Sequence, residues 1–199
     1  VDDNSPDGTQ DVVKKFVDNK TVFMTTGKKE GLGSAYIRGF SYAIDKLDSD
    51  ILFEMDSDFS HDPNDIPRFL VEIKKGYDLV IGSRYINGGS TPDWDIKRKI
   101  VSRGGNFFAR IVAGLGEVHD CTSGFRAIRS SVIKKINIHE LDAQGYAFQM
   151  NLLWDIVKKG ARIKEIPIIF RDRDVGRSKM GWSDIYEFFV NSFKLRLGK

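Results

Sequence analysis

The 199 residues are enough for one domain with a sizeable core, and 41% hydrophobic with 30% charged residues is the make-up of an ordinary globular protein. Cys121 is the sole cysteine, which excludes an internal disulfide and an all-cysteine metal site; no apolar run reaches the ~18–20 residues that cross a bilayer, and nothing at the start reads as a signal peptide. The net charge of +3 hides an asymmetry: residues 1–80 carry 10 Lys/Arg against 16 Asp/Glu, and residues 81–199 carry 21 against 12, as suits a protein that holds a cation at one place and an anion at another.

In chain order, Asp2-Asp3-Asn4-Ser5-Pro6-Asp7-Gly8 is a turn signal, with Thr9 as the N-cap of a helix to about Asp18. Residues 21–25 read as a short strand. Gly31-Leu32-Gly33-Ser34-Ala35 opens a helix carrying Tyr36, Phe40, Ala43, Ile44 and Leu47 at helical spacing. Residues 51–55 form a buried strand, Asn64 or Asp65 caps a helix through Phe69, Leu70 and Ile73, and residues 77–81 form the next strand. A loop at 87–95 precedes a helix over 97–115; a strand near 125–128, a helix near 146–159, a strand near 163–170 and a last helix from Ser183 follow. Strands separated by helices of this length predict an α/β fold with a doubly wound, mainly parallel sheet flanked by helices. With no repeat, low-complexity tract or linker, residues 1–199 read as one domain.

Asp56-Ser57-Asp58-Phe59-Ser60-His61 follows the strand at 51–55 directly. Ligands of open α/β sheets bind beyond the carboxyl ends of strands, and alternate residues of an extended segment point the same way. Asp56 and Asp58 can therefore aim two carboxylates at one hard divalent cation, with Ser60 as a weak third ligand. The competing reading is an acidic turn that caps the next helix, a service that Asn64 and Asp65 stand nearer to give. His61 reads as a supporting or surface residue. Asp2 and Asp3 sit at another strand end, where one of them can meet a nucleobase or both simply make a turn. Gly31-Leu32-Gly33 lacks the remainder of a dinucleotide fingerprint or a P-loop and reads as a tight turn.

Arg84 ends the strand at 77–81, on the same sheet edge as Asp56. In the helix that follows, Arg98 and Ser102 share a face, while Ile100, Val101, Gly104, Phe107, Phe108, Ile111 and Val112 form an apolar stripe. Cations clustered at a helix N-terminus oppose the helix dipole, so an anion such as phosphate belongs there, unless the face is simply solvated. The stripe, with Leu115, either packs in the core, lines a lipid groove or docks on a bilayer surface. Arg171-Asp172-Arg173-Asp174-Val175-Gly176-Arg177-Ser178-Lys179 reads as a loop suited to closing over phosphates. No aromatic–basic alternation points to nucleic acid.

Six segments, Asp2 to Thr9, Asp56-Ser57-Asp58, Gly82-Ser83-Arg84-Tyr85, Trp94-Asp95-Ile96-Lys97-Arg98, Thr122-Ser123-Gly124-Phe125-Arg126 and Gly145-Tyr146-Ala147-Phe148-Gln149, stand in the order of a known family. Together they resemble the dolichol-phosphate (polyprenyl-phosphate) mannose synthases, family 2 glycosyltransferases of the GT-A fold, over nearly the whole chain. The resemblance implies an inverting transfer of mannose from GDP-mannose to a dolichyl or polyprenyl monophosphate. It implies Mn²⁺ or Mg²⁺ on Asp56 and Asp58, Asp3 with Asp2 near the nucleobase, Lys179 closing on the donor, and Arg84, Arg98, Ser102 and Arg173 on the acceptor phosphate. It further implies action at a membrane surface on the cytoplasmic side, with a membrane-anchor subunit or C-terminal membrane helices as partners. The family's first strand, with its Pro-Thr-Tyr-Asn-Glu-like segment, has no counterpart here, Ser60 stands where many relatives have Gln, and Asn151 where many have Glu. Three rivals remain at this point: UDP-glucose as donor on the same fold, a sugar nucleotidyltransferase, and a non-catalytic binding domain that would not need Asp56 and Asp58.

Overall fold

The computed structural model describes residues 1–141, 145–172 and 182–198. Within them, strands β1 (Ile51–Glu54), β2 (Leu79–Ser83), β3 (Arg126–Arg129) and β4 (Ile163–Pro167) form a sheet in the order β1-β3-β2-β4. Three strands run the same way, as winding through helices requires, and β3 is the exception, antiparallel to both neighbours. The sheet is thus the expected α/β sheet with three of four strands in one direction, made mixed by the reversed β3. Beyond the end of β2 the segment before β3 places Asp120 and Thr122 against Arg84, and the chain enters β3 from this edge, at which the other strands finish.

Helices α1 (Thr9–Lys14), α2 (Leu32–Asp45), α3 (Ile66–Lys74), α4 (Ile96–Val112), α5 (Ser130–Ile133), α6 (Gly145–Lys158) and α7 (Trp182–Arg196) surround the sheet. The strand alternation divides the core. Leu52, Leu79, Ile81 and Ile128 join Phe40 of α2, Ala109 of α4 and Phe148 and Leu152 of α6 on one side. Val80 and Ala127 join Phe69 and Ile73 of α3, with Phe125, Ile166 and Ile168, on the other. Every residue of β2 is buried, as its central apolar Leu79-Val80-Ile81 requires of a strand covered on both faces.

Several expected boundaries shift for local reasons. Gly8, at φ 81°, takes the N-cap position of α1, and Thr9 is its first helical residue. No ladder strand forms over 21–25; the Asp18 carboxylate accepts the amides of Lys20, Thr21 and Val22 and folds the segment into a turn, leaving one parallel bridge between Asp2 and Thr26. Asp65 holds the N-cap position of α3, as expected, but without a side-chain bond; the capping bond is made one turn earlier, where Asp62 accepts the Asn64 amide at 2.9 Å.

The apolar stripe of α4 faces outward over most of its length. Ile100, Phe107 and Ile111 are 65%, 62% and 62% exposed, whereas the buried residues of the helix are Asn106 and Ala109. Phe108 turns instead to α7, with its ring 4.6 Å from Phe189 and 5.6 Å from Phe193. Leu115, beyond the helix, is in the core.

Candidate active site

Because β1, β2 and β4 run the same way, their carboxyl ends deliver Asp56 to His61, Arg84 with Tyr85, and Phe170 to Asp172 to one edge. The segment before β3 and the N-terminus of α4 close on the same edge. Gly89 makes part of this possible: a Cβ there would lie 2.5 Å from the Ser83 carbonyl oxygen, so only glycine lets the loop after β2 fold back over the strand end.

On the acidic side, the Asp56 side chain is 43% exposed and the Asp58 carboxylate accepts the Ser60 amide at 3.1 Å together with the Ser60 hydroxyl. Ser60 is buried and spends its hydroxyl as a brace for Asp58. His61 is also buried; its Nδ1 accepts the Asp56 amide at 3.1 Å, and burial lowers its pKa. The ring is therefore neutral with its proton on Nε2, and its 3.9 Å approach to Asp56 Oδ2 is no charged pair. Gly124 lies next to the Asp56 carboxylate, where a Cβ would come into ordinary contact with Asp56 Oδ1 at 3.6 Å. Among the described residues no group of three or more His, Cys, Asp and Glu is gathered to hold a metal by itself. The exposed Asp56 carboxylate and the braced Asp58 carboxylate, at an open edge, fit a hard cation that completes its shell with phosphate oxygens and water. Beside them Asp58, Phe59, Asp93, Arg171 and Asp172 line a cavity of about 390 Å³.

Beneath Asp56 lies an ionisable group that the linear reading passed over. Glu54 is 1% exposed, has no partner at hydrogen-bond distance, and stands opposite the fully buried Arg126 in the register of β1 and β3. Arg126 donates to the carbonyls of Ser123, Cys121 and Gln149, so it is satisfied without Glu54, whose Oε2 is 4.0 Å away. Burial pushes the Glu54 pKa up to about 7. A raised carboxyl pKa means the folded state holds the proton more tightly than the unfolded one, so stability falls as pH rises from the ordinary Glu value through 7. Glu54→Gln in EDTA is expected to abolish this slope and to raise stability at pH 8 by up to about 3 kcal/mol, read from melting curves at pH 5 and pH 8. An acid between the apolar Ile51-Leu52-Phe53 and Met55 was the available signal.

On the basic side, Arg84 is 9% exposed and donates through Nε and Nη2 to Asp120, both at 2.7 Å, with Thr122 Oγ1 at 2.9 Å from Nη2. Asp120 is wholly buried and also accepts the Arg84 amide. Arg98, on the first turn of α4, lies 4.0 Å over the Trp94 ring and reaches both carboxylate oxygens of Asp172 at 2.9 and 3.1 Å. The Ser102 hydroxyl is 2.5 Å from that of Tyr85, whose pKa is raised by burial. Arg84, Arg98 and Ser102 are thus brought to one side of the edge, while Arg173 and Lys179 lie outside the described residues.

At the chain's start the two aspartates part company. Asp2 accepts from Ser5 N, Ser5 Oγ and Gln10 Nε2, and these bonds, the Ser5 hydroxyl foremost, hold its pKa at about 2. Asp3 pairs with Arg38 and lines a separate cavity of about 660 Å³ with Asn4, Pro6, Gln10, Thr26, Gly27, Lys28 and Lys29. Linear reading missed Asp120, which no spacing rule ties to Arg84, and Trp94, which it used only as part of a motif.

Comparison with known proteins finds relatives over nearly the whole chain. The chain is 40% identical over 190 residues to the polyprenol monophosphomannose synthase of Mycolicibacterium smegmatis, covering 94% of this chain and 71% of that protein. It is 39% identical to the undecaprenyl-phosphate mannosyltransferase of Micrococcus luteus (96% and 78% covered) and 35% identical to the dolichol-phosphate mannosyltransferase of Pyrococcus furiosus (98% and 53% covered). Among solved structures, glucosyl-3-phosphoglycerate synthase from Mycobacterium tuberculosis in complex with phosphoglyceric acid superposes with a TM-score of 0.57 at 19% identity, over 89% of this chain and 57% of that one. This chain thus spans about half the length of the Pyrococcus protein and of the solved structure. The shared architecture is that of GT-A glycosyltransferases. Residues 1–137 match the glycosyl transferase family 2, and with the identities above this places the chain in that family.

Proposed function

We propose that this domain transfers mannose from GDP-mannose to a polyprenyl or dolichyl monophosphate. The observation that carries the reading is the meeting of the carboxylates Asp56 and Asp58 with the arginines Arg84 and Arg98 at one sheet edge. A nucleotide diphosphate needs a cation and an acceptor phosphate needs arginines, and the two must lie side by side for one to attack the other. The names of the relatives point to the same acceptor and the same sugar.

Asp56 and Asp58 would hold Mn²⁺ or Mg²⁺, which when bound neutralises the diphosphate and so favours its departure. The chain's own residues do the rest. A phosphate monoester carries about 1.5–2 negative charges near neutral pH, so its oxygen is a nucleophile without a protein base. Arg98 and Ser102 bind that phosphate, with Arg173 as a further cation. Arg84, its direction fixed by Asp120, orients it for in-line attack. The phosphate oxygen forms a bond to the anomeric carbon as the bond from that carbon to the GDP oxygen breaks, and configuration inverts. Asp3 serves the nucleobase from its cavity, with Asp2 shaping the turn, and Lys179 closes on the donor. For Arg98→Ala, the acceptor KM is expected to rise by about tenfold or more, with donor KM little changed, since a charged hydrogen-bonding partner is lost only on one side.

The exposed Ile100, Phe107 and Ile111 share a face of α4 with the exposed cations Lys97 and Arg103 near its borders. Phe193 of α7, which packs on Phe108 of α4, and Leu197 just after α7 are also exposed. Such a mix of apolar and basic groups suits the headgroup layer of an anionic membrane. No helix among the described residues is long and apolar enough to cross a bilayer. Phe107→Ser/Ile111→Ser is expected to reduce co-sedimentation with vesicles containing phosphatidylglycerol by about tenfold, as two large apolar side chains leave the interface. The function itself is tested by supplying labelled GDP-mannose or UDP-glucose with Mn²⁺ and undecaprenyl or dolichyl phosphate, and counting label in the lipid phase. Label from GDP-mannose that EDTA abolishes is the expected result. Label from UDP-glucose alone would overturn the sugar, and no lipid label from either would overturn the acceptor.

A further inference from the structure

Between the acidic and basic sides of the site runs an unbroken series of ring contacts. Arg98 lies 4.0 Å over Trp94. The Trp94 ring meets Phe170 edge-on at 5.7 Å, and Phe170 meets the His61 ring edge-on at 5.4 Å. His61 stacks on Phe125 at 4.9 Å, and its Nδ1 holds the backbone amide of Asp56. Phe170 is the hub, since the Arg84 guanidinium also stands 5.6 Å from its ring.

The backbone around Phe170 is stapled on both sides. Its amide donates to the Ser90 carbonyl at 2.9 Å, on the loop that leads to Trp94, and the Arg171 amide donates to the Ser60 carbonyl at 3.3 Å, on the loop that carries Asp58 and His61. The loop to Trp94 is further tied to this segment by Ser90 N to the Ile168 carbonyl at 3.0 Å and Asp172 N to Asp93 Oδ2 at 3.1 Å, so the segment at 168–172 is the common support of both loops. Edge-on aromatic pairs and a stacked guanidinium resist sliding in a way that aliphatic packing does not.

We propose that Trp94, Phe170 and His61 form a positioning wall that fixes the separation between the Arg98 guanidinium and the Asp56 carboxylate. None of the three need touch a reacting atom; they act through Arg98, Arg84 and Asp56. The inference rests on the transferase reading given above, which assigns Arg98 to the acceptor and Asp56 to the donor's cation. In-line transfer tolerates little error in the distance between the two phosphates, so a wall spanning both sides governs them together.

A residue of this kind has a signature that a residue of either side lacks. Phe170→Leu is expected to raise both the Mn²⁺ dissociation constant, measured by electron paramagnetic resonance with GDP present, and the acceptor KM by about tenfold, the scale of lost support to ligating groups. Phe170→Tyr, which keeps the ring, should return both to wild-type values. A folded Phe170→Leu protein in which one quantity moves and the other does not, or neither moves, overturns the wall, as does a Tyr variant that behaves like Leu. Should Phe170→Leu fail to fold, Trp94→Leu against Trp94→Phe gives the same comparison. Mn²⁺ binding needs no turnover, so a wild-type chain that binds Mn²⁺ and GDP but labels no lipid counts against the transferase reading, whereas a labelling wild type with an unchanged Phe170→Leu counts against the wall.

Discussion

Asp120→Ala is expected to destabilise the protein by about 3–5 kcal/mol, the cost of breaking one side of a buried ion pair. Asp120 is wholly buried and receives three bonds from one residue, the Arg84 amide, Nε and Nη2. Removing it leaves a guanidinium that is 9% exposed beside the Tyr85, Trp94 and Phe170 rings, with Thr122 as a neutral partner. Ring faces stabilise a desolvated cation by about 2 kcal/mol, without hydrogen bonds, and cannot replace a bidentate carboxylate. For a domain whose total stability is ~5–15 kcal/mol the loss is large, and the midpoint of thermal unfolding should fall by roughly 10 °C. Asp120→Asn keeps the shape and one acceptor and should lose less. The double change Arg84→Met/Asp120→Leu should recover most of the loss while abolishing transfer, because burying two apolar groups costs nothing of this kind. If the double variant were as unstable as Asp120→Ala, the pair would not be the source of the effect.

What the linear order of residues could and could not convey follows from the range of each interaction. The strand Ile51–Glu54 and the carboxylates two and four positions after it are one continuous local pattern, so the acidic edge was legible. The same holds for β2 and Arg84 behind it. The Arg84–Asp120 pair spans 36 residues, and it forms only because β3 is entered from the site edge, a reversal that no periodicity announces. Glu54 and Arg126 meet for the same reason, as cross-strand partners in an antiparallel register. In α4 the helical period marked the apolar stripe correctly but not what covers it. The helix packs inward through small and amide-bearing residues, Ala109 and Asn106, whose amide oxygen accepts the Cys121 amide at 2.7 Å, and this frees the larger side chains to face outward. Hydrophobic spacing identifies a face; the partner of that face is a tertiary fact.

The strongest effect on activity is expected at Asp58. Asp58→Asn preserves size and an oxygen that can accept the Ser60 amide, so the loop between Asp56 and His61 should keep its form. It removes one of the two carboxylates, Asp56 and Asp58, assigned to a divalent cation, and so weakens the hold on a metal–diphosphate complex. Loss of a group that stabilises departing charge typically costs about 10²–10³ in turnover, and a fall of that size in kcat/KM with GDP-mannose and polyprenyl phosphate is the expected result. Two further readouts separate this from damage to the fold. Mn²⁺ binding in the presence of GDP should weaken in parallel, and the melting temperature without metal should stay the same or rise, because a carboxylate beside Asp56 no longer opposes its neighbour. Raising Mn²⁺ should recover part of the rate if Asp58 acts mainly by holding the ion. A rate that stays low at saturating Mn²⁺ would mean that Asp58 also directs the ion toward the leaving oxygen, since occupancy alone would then be insufficient. Turnover unchanged in Asp58→Asn would remove the acidic edge from the mechanism and leave the arginines without a donor to face.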